Sequence, residues 1–275
     1  MEIEDLFQQP NTLPTAPKVV QELIASFNNE QFNIKDIARK LSADPVLSAK
    51  LLRLANSAYY HASHTVSTVD DAVAMLGILA VRTLVISSGF VHGFKSTYGL
   101  DLKQFWRYSL HTAVAAKWLA NHVDENSNLA FTIGMMHGIG ELVIHAGMPE
   151  RALQLDKLVS YLDKRRFETE FSTFGYDYAE ISAELALRWN FPEVFSEAIR
   201  AFPKPLEQQP FNPMAAIIHL AVWVARANEN NITLEEIRVS CPAEVCAKFN
   251  LNPYIILDEM PPLAELSSGL EDLIT

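Results

Sequence analysis

The apolar positions of this chain recur at helical spacing almost throughout. Val19, Val20, Leu23 and Ile24 follow Pro17, which suits a first helical turn because its missing N–H has no intrahelical partner to lose. The polar break Asn28-Asn29-Glu30 ends that segment. Asn33 caps a second helix in which Ile34, Ile37, Ala38 and Leu41 form the apolar stripe. Asp44-Pro45 is a strong start signal, and Leu47, Leu51, Leu54 and Ala55 share one face of the helix that follows. Ser67 with Asp70 reads as a capping box in carboxylate form, ahead of Ala72, Val73 and Leu76. Gly77 stops that helix by taking a left-handed backbone conformation. Residues 80–90 are apolar all round apart from Arg82 and the serines, as in a helix packed between others.

Asp101 opens the longest pattern, with Trp106, Leu110, Ala113, Val114 and Trp118 on one stripe. A polar run at 124–128 separates it from an apolar helix reaching His137. Pro149 starts another helix, and further helices are predicted over 176–189, 192–202, 213–228 and 242–249. Pro203, Pro205 and Pro210 mark a loop, and Pro253, Pro261 and Pro262 punctuate a carboxy-terminal extension. No stretch sustains period-two alternation, and only 10 of the 275 residues are glycine. The predicted fold class is all-α, a multi-helix assembly.

Composition narrows the function classes. The 49% hydrophobic and 20% charged content fits a globular chain. A formal charge of −11, from 22 basic and 33 acidic residues, opposes nucleic-acid binding, which depends on neutralising phosphates. The densest basic cluster, Lys164-Arg165-Arg166, reads as a solvated helix face. Cys241 and Cys246 do not form a CxxC pair, so a reducing, cytoplasmic setting is expected. The acidic amino terminus does not have the order of a signal peptide, and residues 1–12 read as a loose tail. Apolar runs such as 74–81 are far short of the roughly 20 residues of a membrane helix, so no membrane partner is expected.

Three segments carry a family likeness. They are Leu13-Pro14-Thr15-Ala16-Pro17-Lys18-Val19, the long run from Asp44-Pro45 through Leu54-Ala55-Asn56-Ser57-Ala58-Tyr59-Tyr60, and Val69 through Leu76-Gly77 to Val81-Arg82. Phe105-Trp106-Arg107-Tyr108-Ser109-Leu110, His137-Gly138-Ile139-Gly140-Glu141 and Gly175 to Pro192 extend it. Together they resemble the HDOD family, the HD-related output domain of bacteria, over about residues 13–225. The resemblance implies an amino-terminal helical half, 13–100, packed on an HD-like half, 101–225, with 226–275 as a helical extension. It also implies a signalling or regulatory module related to metal-dependent phosphohydrolases.

The resemblance also tests the metal site. An HD site gathers histidines and carboxylates around a divalent ion, which activates water and clamps phosphate. Here Tyr108 stands in place of the first histidine, Gly138 in place of the doublet's aspartate, and Tyr178 in place of a later histidine. Phe202-Pro203 occupies the place of a histidine pair, and Val222 lies near the last aspartate. Only His137 survives. The expected vestigial pocket comprises Tyr108, His111, His137, Gly138, Glu141 and Tyr178, with no metal, no cofactor and no catalytic residue. Glu141 would share a face with His137 only if the helix ran on through Gly138 and Gly140. His111 either points at His137 or serves helix packing. His61 and His64 read as ordinary loop histidines. Ser87-Ser88-Gly89 does not fit the nucleophile-turn pattern, and the serines read as helix-terminal.

Three functions follow. The first is a non-catalytic module acting on a signalling protein on a separate chain. The second is a sensor holding a nucleotide second messenger in the vestigial pocket, with Arg107, Arg82 and Lys103 as the nearest cations. The third is a phosphohydrolase with an altered site using His137, Glu141 and His111.

Overall fold

The structure, a computed structural model, describes residues 2–9, 18–25, 34–57, 60, 65–94 and 97–274. Among them there is no strand, and the chain is all-α as the periodicity predicts. The first part holds α1 (Ile3–Phe7), α2 (Lys18–Ala25), α3 (Ile34–Ser42), α4 (Pro45–Ala55), α5 (Val69–Leu76) and α6 (Ile78–Gly93). The second holds α7 (Leu102–His122), α8 (Ser127–Met136), α9 (Ile139–Gly147), α10 (Pro149–Asp156), α11 (Arg166–Phe174), α12 (Tyr178–Arg188), α13 (Glu193–Ala201) and α14 (Pro213–Glu229). Then come α15 (Leu234–Val239), α16 (Ala243–Lys248), α17 (Pro253–Glu259), α18 (Leu263–Leu266) and a 3-10 turn, Glu271–Leu273.

Local chemistry sets many of these boundaries. The Asp44 carboxylate accepts from the N–H groups of Val46 (2.9 Å) and Leu47 (3.1 Å), satisfying donors that α4 itself leaves open. At α5 the cap is Thr68 rather than Ser67. Its hydroxyl accepts from the Asp71 N–H at 3.0 Å and donates to the Asp71 carboxylate at 2.6 Å, a pairing that the expected Ser67–Asp70 box does not make. Gly77 has φ +77° but an extended ψ of 155°, so it turns the chain into α6 without completing a left-handed cap. Ser87 and Ser88 are buried within α6, not at its end. The approach at 13–17, the Asn33 cap, and His61 and His64 lie outside the described residues.

The long α7 is the spine. It packs on α8 and α14, while α8 also meets α6 and so joins the two halves. Ser127–Gly147 is apolar and long enough to cross a membrane, longer than any run noticed in the sequence, yet 89% of its most apolar window is buried inside the fold. It is a core element. Two expected segment boundaries change. Over its described residues the amino-terminal tail is a docked helix: Leu6 and Phe7 are buried, α1 packs on α9, and the Arg188 guanidinium covers the Phe7 ring and pairs with Glu4. The boundary expected at 225 falls inside α14. The residues beyond it return to both halves, with α18 on α7 and the 3-10 turn on α4 and α6, burying Leu270 and Leu273 completely.

The basic cluster at 164–166 is the largest departure from the sequence reading. Lys164 and Arg165 are exposed, but Arg166 is fully buried. Its guanidinium donates to Glu141 through Nε (3.0 Å) and Nη2 (2.8 Å), to Glu170 (2.7 Å), to Asp156 (2.8 Å) and to the Val159 carbonyl (2.8 Å). His145 completes the network, with Nδ1 2.8 Å from the Glu141 carbonyl oxygen and Nε2 2.9 Å from Asp156. Burial disfavours a charge on His145, but acceptors at both ring nitrogens outweigh it and raise its pKa. Burial and the neighbouring Glu141 push the Glu170 carboxyl well up. The Arg166 guanidinium between them is what lets Glu141 and Glu170 be buried side by side, while Asp156 keeps partial contact with water.

Arg166→Ala would leave these carboxyls without their counter-charge. The expected loss is about 3–5 kcal/mol of unfolding free energy, the usual range for removing one partner of a buried ion pair, checked by urea denaturation.

Candidate functional site

His137 lies at the break between α8 and α9 and is completely buried. Its Nδ1 is 2.6 Å from the Gly134 carbonyl oxygen, which can only accept. Nδ1 therefore carries the proton, and Nε2 presents a lone pair that is buried without a partner. Burial lowers the imidazole pKa to about 4, so His137 is neutral over the physiological range. Tyr108 from α7 packs edge-on against it, with centroids 5.2 Å apart, and Phe202 does the same at 5.6 Å. Tyr178, at the start of α12, lies 6.2 Å from Phe202. Burial pushes both phenols up, so both are neutral hydroxyls.

Backbone contacts hold this cluster together. Asp177 caps α12 through the N–H groups of Ala179 and Glu180, and Glu180 reaches back to the Asp177 N–H. The Tyr178 N–H donates to Glu170 at 2.7 Å, which ties the site to the Arg166 network. Gly140 donates to Ser182 Oγ at 2.7 Å, and that hydroxyl donates to the Tyr178 carbonyl at 2.8 Å. A Cβ on Gly140 would sit 2.0 Å from the Tyr178 carbonyl oxygen, so the approach of α9 to α12 requires glycine. Gly138 is different. A Cβ there would meet the Phe105 ring at an ordinary 3.6 Å.

Of the six residues expected in the pocket, Tyr108, His137 and Tyr178 come together, with Gly138 at the helix break beside them. Glu141 is near enough to act electrostatically on both phenols, but Arg166 occupies both its carboxylate oxygens. His111 belongs to another network. Its Nδ1 is 3.0 Å from Glu229, whose carboxylate also receives Arg107 at 3.1 and 2.6 Å.

The sequence reading missed Arg226, on α14. Its guanidinium stands beside the phenol oxygens of Tyr108 and Tyr178. Arg226 Nε and the Tyr108 hydroxyl are buried without a hydrogen-bond partner. No described carboxylate forms an ion pair with it. A signal was present: His219, Val222 and Arg226 fall at i, i+3 and i+7 along one face of α14. All three line a cleft of about 890 Å³ that Tyr178 and Phe202 close at the back.

The donor set does not fit the divalent metal that an HD fold implies. Two neutral phenols, a phenylalanine, a valine and a glycine offer no anionic oxygen, and the charged group beside them is a cation. Among the described residues no group of three or more His, Cys, Asp or Glu is placed to hold a metal ion.

Comparison with known proteins gives a family match: the HDOD domain model matches residues 13–205. A protein of Shewanella amazonensis SB2B whose name proposes a phosphohydrolase is 32% identical, with 97% of each chain covered and a TM-score of 0.77. A Geobacter sulfurreducens HDOD domain protein of unknown function is 23% identical, covering 95% of this chain and 91% of that one, with a TM-score of 0.73; it shows the shared fold. An uncharacterized protein of Treponema pallidum is 26% identical over 230 residues, which make up 82% of this chain but 44% of the relative. The chain thus spans less than half of that protein.

Two outcomes follow from the site. An unfolded histidine binds a proton near pH 6.5, whereas His137 does so at about 4 in the folded protein. Its contribution to stability is complete above about pH 6.5 and is lost as pH falls towards 4, about 3 kcal/mol in all. The difference between wild type and His137→Phe in denaturant titrations at several pH values should show that slope. Gly140→Ala should lose about 1–3 kcal/mol through overpacking, against a near-neutral Gly138→Ala, in the same measurement.

Proposed function

The chain belongs to the HDOD family, and from that premise we propose that it is a non-catalytic signal-transduction module acting by contact with a signalling protein on a separate chain. The family and fold relation make it an HD-related regulatory module. The observation that carries the finer reading is the Arg226 guanidinium standing among Tyr108, Tyr178 and Val222, where the likeness to HD enzymes calls for metal ligands. A fixed positive charge at close range repels a divalent ion, and Asp163, the cleft carboxylate that acts on Arg226 through space, is already clasped by Arg165. The Shewanella name suggests hydrolysis, but this chain's donors support a scaffold from which that chemistry has been lost. Two free thiols suit a reducing compartment, and the reading is of a cytoplasmic protein.

The test has two arms. Metal analysis of purified protein, after incubation with Mg²⁺, Mn²⁺ or Zn²⁺, should give well under one equivalent. Phosphomonoester and nucleotide hydrolysis should stay at background and be insensitive to chelator. Gly138→Asp, which restores the doublet's carboxylate, should change neither result. Affinity capture from cells should retain a specific signalling protein. Chelator-sensitive hydrolysis abolished by His137→Ala would overturn the proposal.

A further inference from the structure

The approximately 890 Å³ cleft beside α14 is within the range of small-molecule sites. Its back wall is aromatic, from Tyr178 and Phe202, and Trp223 lines it at half-burial. Its polar groups converge on one region. His219 Nδ1 is 2.9 Å from the Phe202 carbonyl oxygen, so Nδ1 donates there and Nε2 is left as an acceptor. Arg226 lies one to two turns further along the same helix, with its Nε sealed and unpartnered.

The charges at the cleft differ in kind. Lys164 and Arg165 are exposed, and Arg165 is already clasped to Asp163 at 3.1 and 2.8 Å. Glu236 is exposed and engaged with Thr233, and Glu168 is exposed. Water screens these groups. Arg226 is half-buried, among phenols kept neutral by burial, and it makes no ion pair with any described carboxylate. Asp163 acts on Arg226 through space, but its carboxylate is clasped by Arg165 and makes no contact ion pair with Arg226. A sheltered guanidinium without a contact partner of opposite charge is costly, and its planar fork of N–H donors matches an oxyanion. The cations noted from sequence do not serve here: Arg107 is committed to Glu229, and neither Arg82 nor Lys103 lines the cleft.

We propose that this cleft binds a small organic oxyanion carrying a planar ring, of about nucleoside-monophosphate size, with Arg226 gripping the phosphate or carboxylate and the aromatic wall taking the ring. Aromatic stacking contributes roughly 1–3 kcal/mol per base where it has been measured, so a ring adds substantially to the grip on the oxyanion. This site is separate from the partner contact proposed above; loss of either activity would leave the other to be measured by itself.

Calorimetric titration of the full chain tests it. One arm uses AMP, GMP and cyclic AMP; the other uses benzoate and indole-3-acetate; adenosine and inorganic phosphate are the single-feature controls. At least one ring-bearing oxyanion should bind with Kd below ~1 mM, and at least ~10-fold more tightly than its ring-only or anion-only control, a difference of about 1.4 kcal/mol. The stronger arm identifies the head group. Arg226→Met should weaken binding by at least ~10-fold, while raising the melting temperature of the ligand-free protein, because it removes a sheltered charge. Arg226→Lys keeps the charge but loses the fork, should weaken binding to an intermediate degree, and serves if the methionine variant does not fold. No binding in either arm up to 1 mM, or affinity unchanged in both variants, would overturn the proposal. So would a clear drop in ligand-free melting temperature for a folded Arg226→Met, which would make the guanidinium a structural group.

Discussion

The buried Arg166 guanidinium is the interaction on which the second half of the fold depends. It reaches Glu141 on α9, Asp156 at the end of α10 and Glu170 on its own helix, and Glu170 in turn fixes the first N–H of α12. One side chain thus coordinates four helices. Burying it is tolerable because its N–H donors are taken up by carboxylates of opposite charge and by the Val159 carbonyl. The position of Tyr178, and with it the rear wall of the cleft, follows from this network.

The same network commits Glu141 elsewhere. A carboxylate with both oxygens held by a guanidinium is already neutralised, and withdrawing it would strand Arg166 in the core. Glu229 plays the matching role at the end of α14, holding Arg107 and His111. Both of these acidic side chains are thus held in ion pairs within the fold. What is left around His137 is aromatic and neutral, apart from Arg226. The helix spacing there is set by Gly140 and Ser182, a contact so close that it admits no side chain at the glycine.

Much of the fold was legible from local signals. The Asp44-Pro45 start, the Asp101 cap and the stripe through Trp106, Leu110 and Trp118 lie where the pattern predicts, because caps and amphipathic faces are properties of neighbouring residues. Among the helices it missed, the buried face is set by tertiary contacts. α1 is held by docking of Leu6 and Phe7, and α11 by the burial of Arg166 and Glu170. Neither cause is visible along the chain, since both depend on residues far away in sequence.

The identity of the residues at the positions where the HD pattern has metal ligands is read from the sequence alone: phenol, glycine, phenylalanine and valine offer no anionic oxygen in any fold. The commitments of the charged residues were decided in three dimensions. Whether Arg166 is solvated or buried, whether Glu141 is free or clasped, and whether Arg226 pairs with a carboxylate or lines a cleft each depends on which helices pack together. Charge interactions act through space and burial, and the linear order of residues specifies neither.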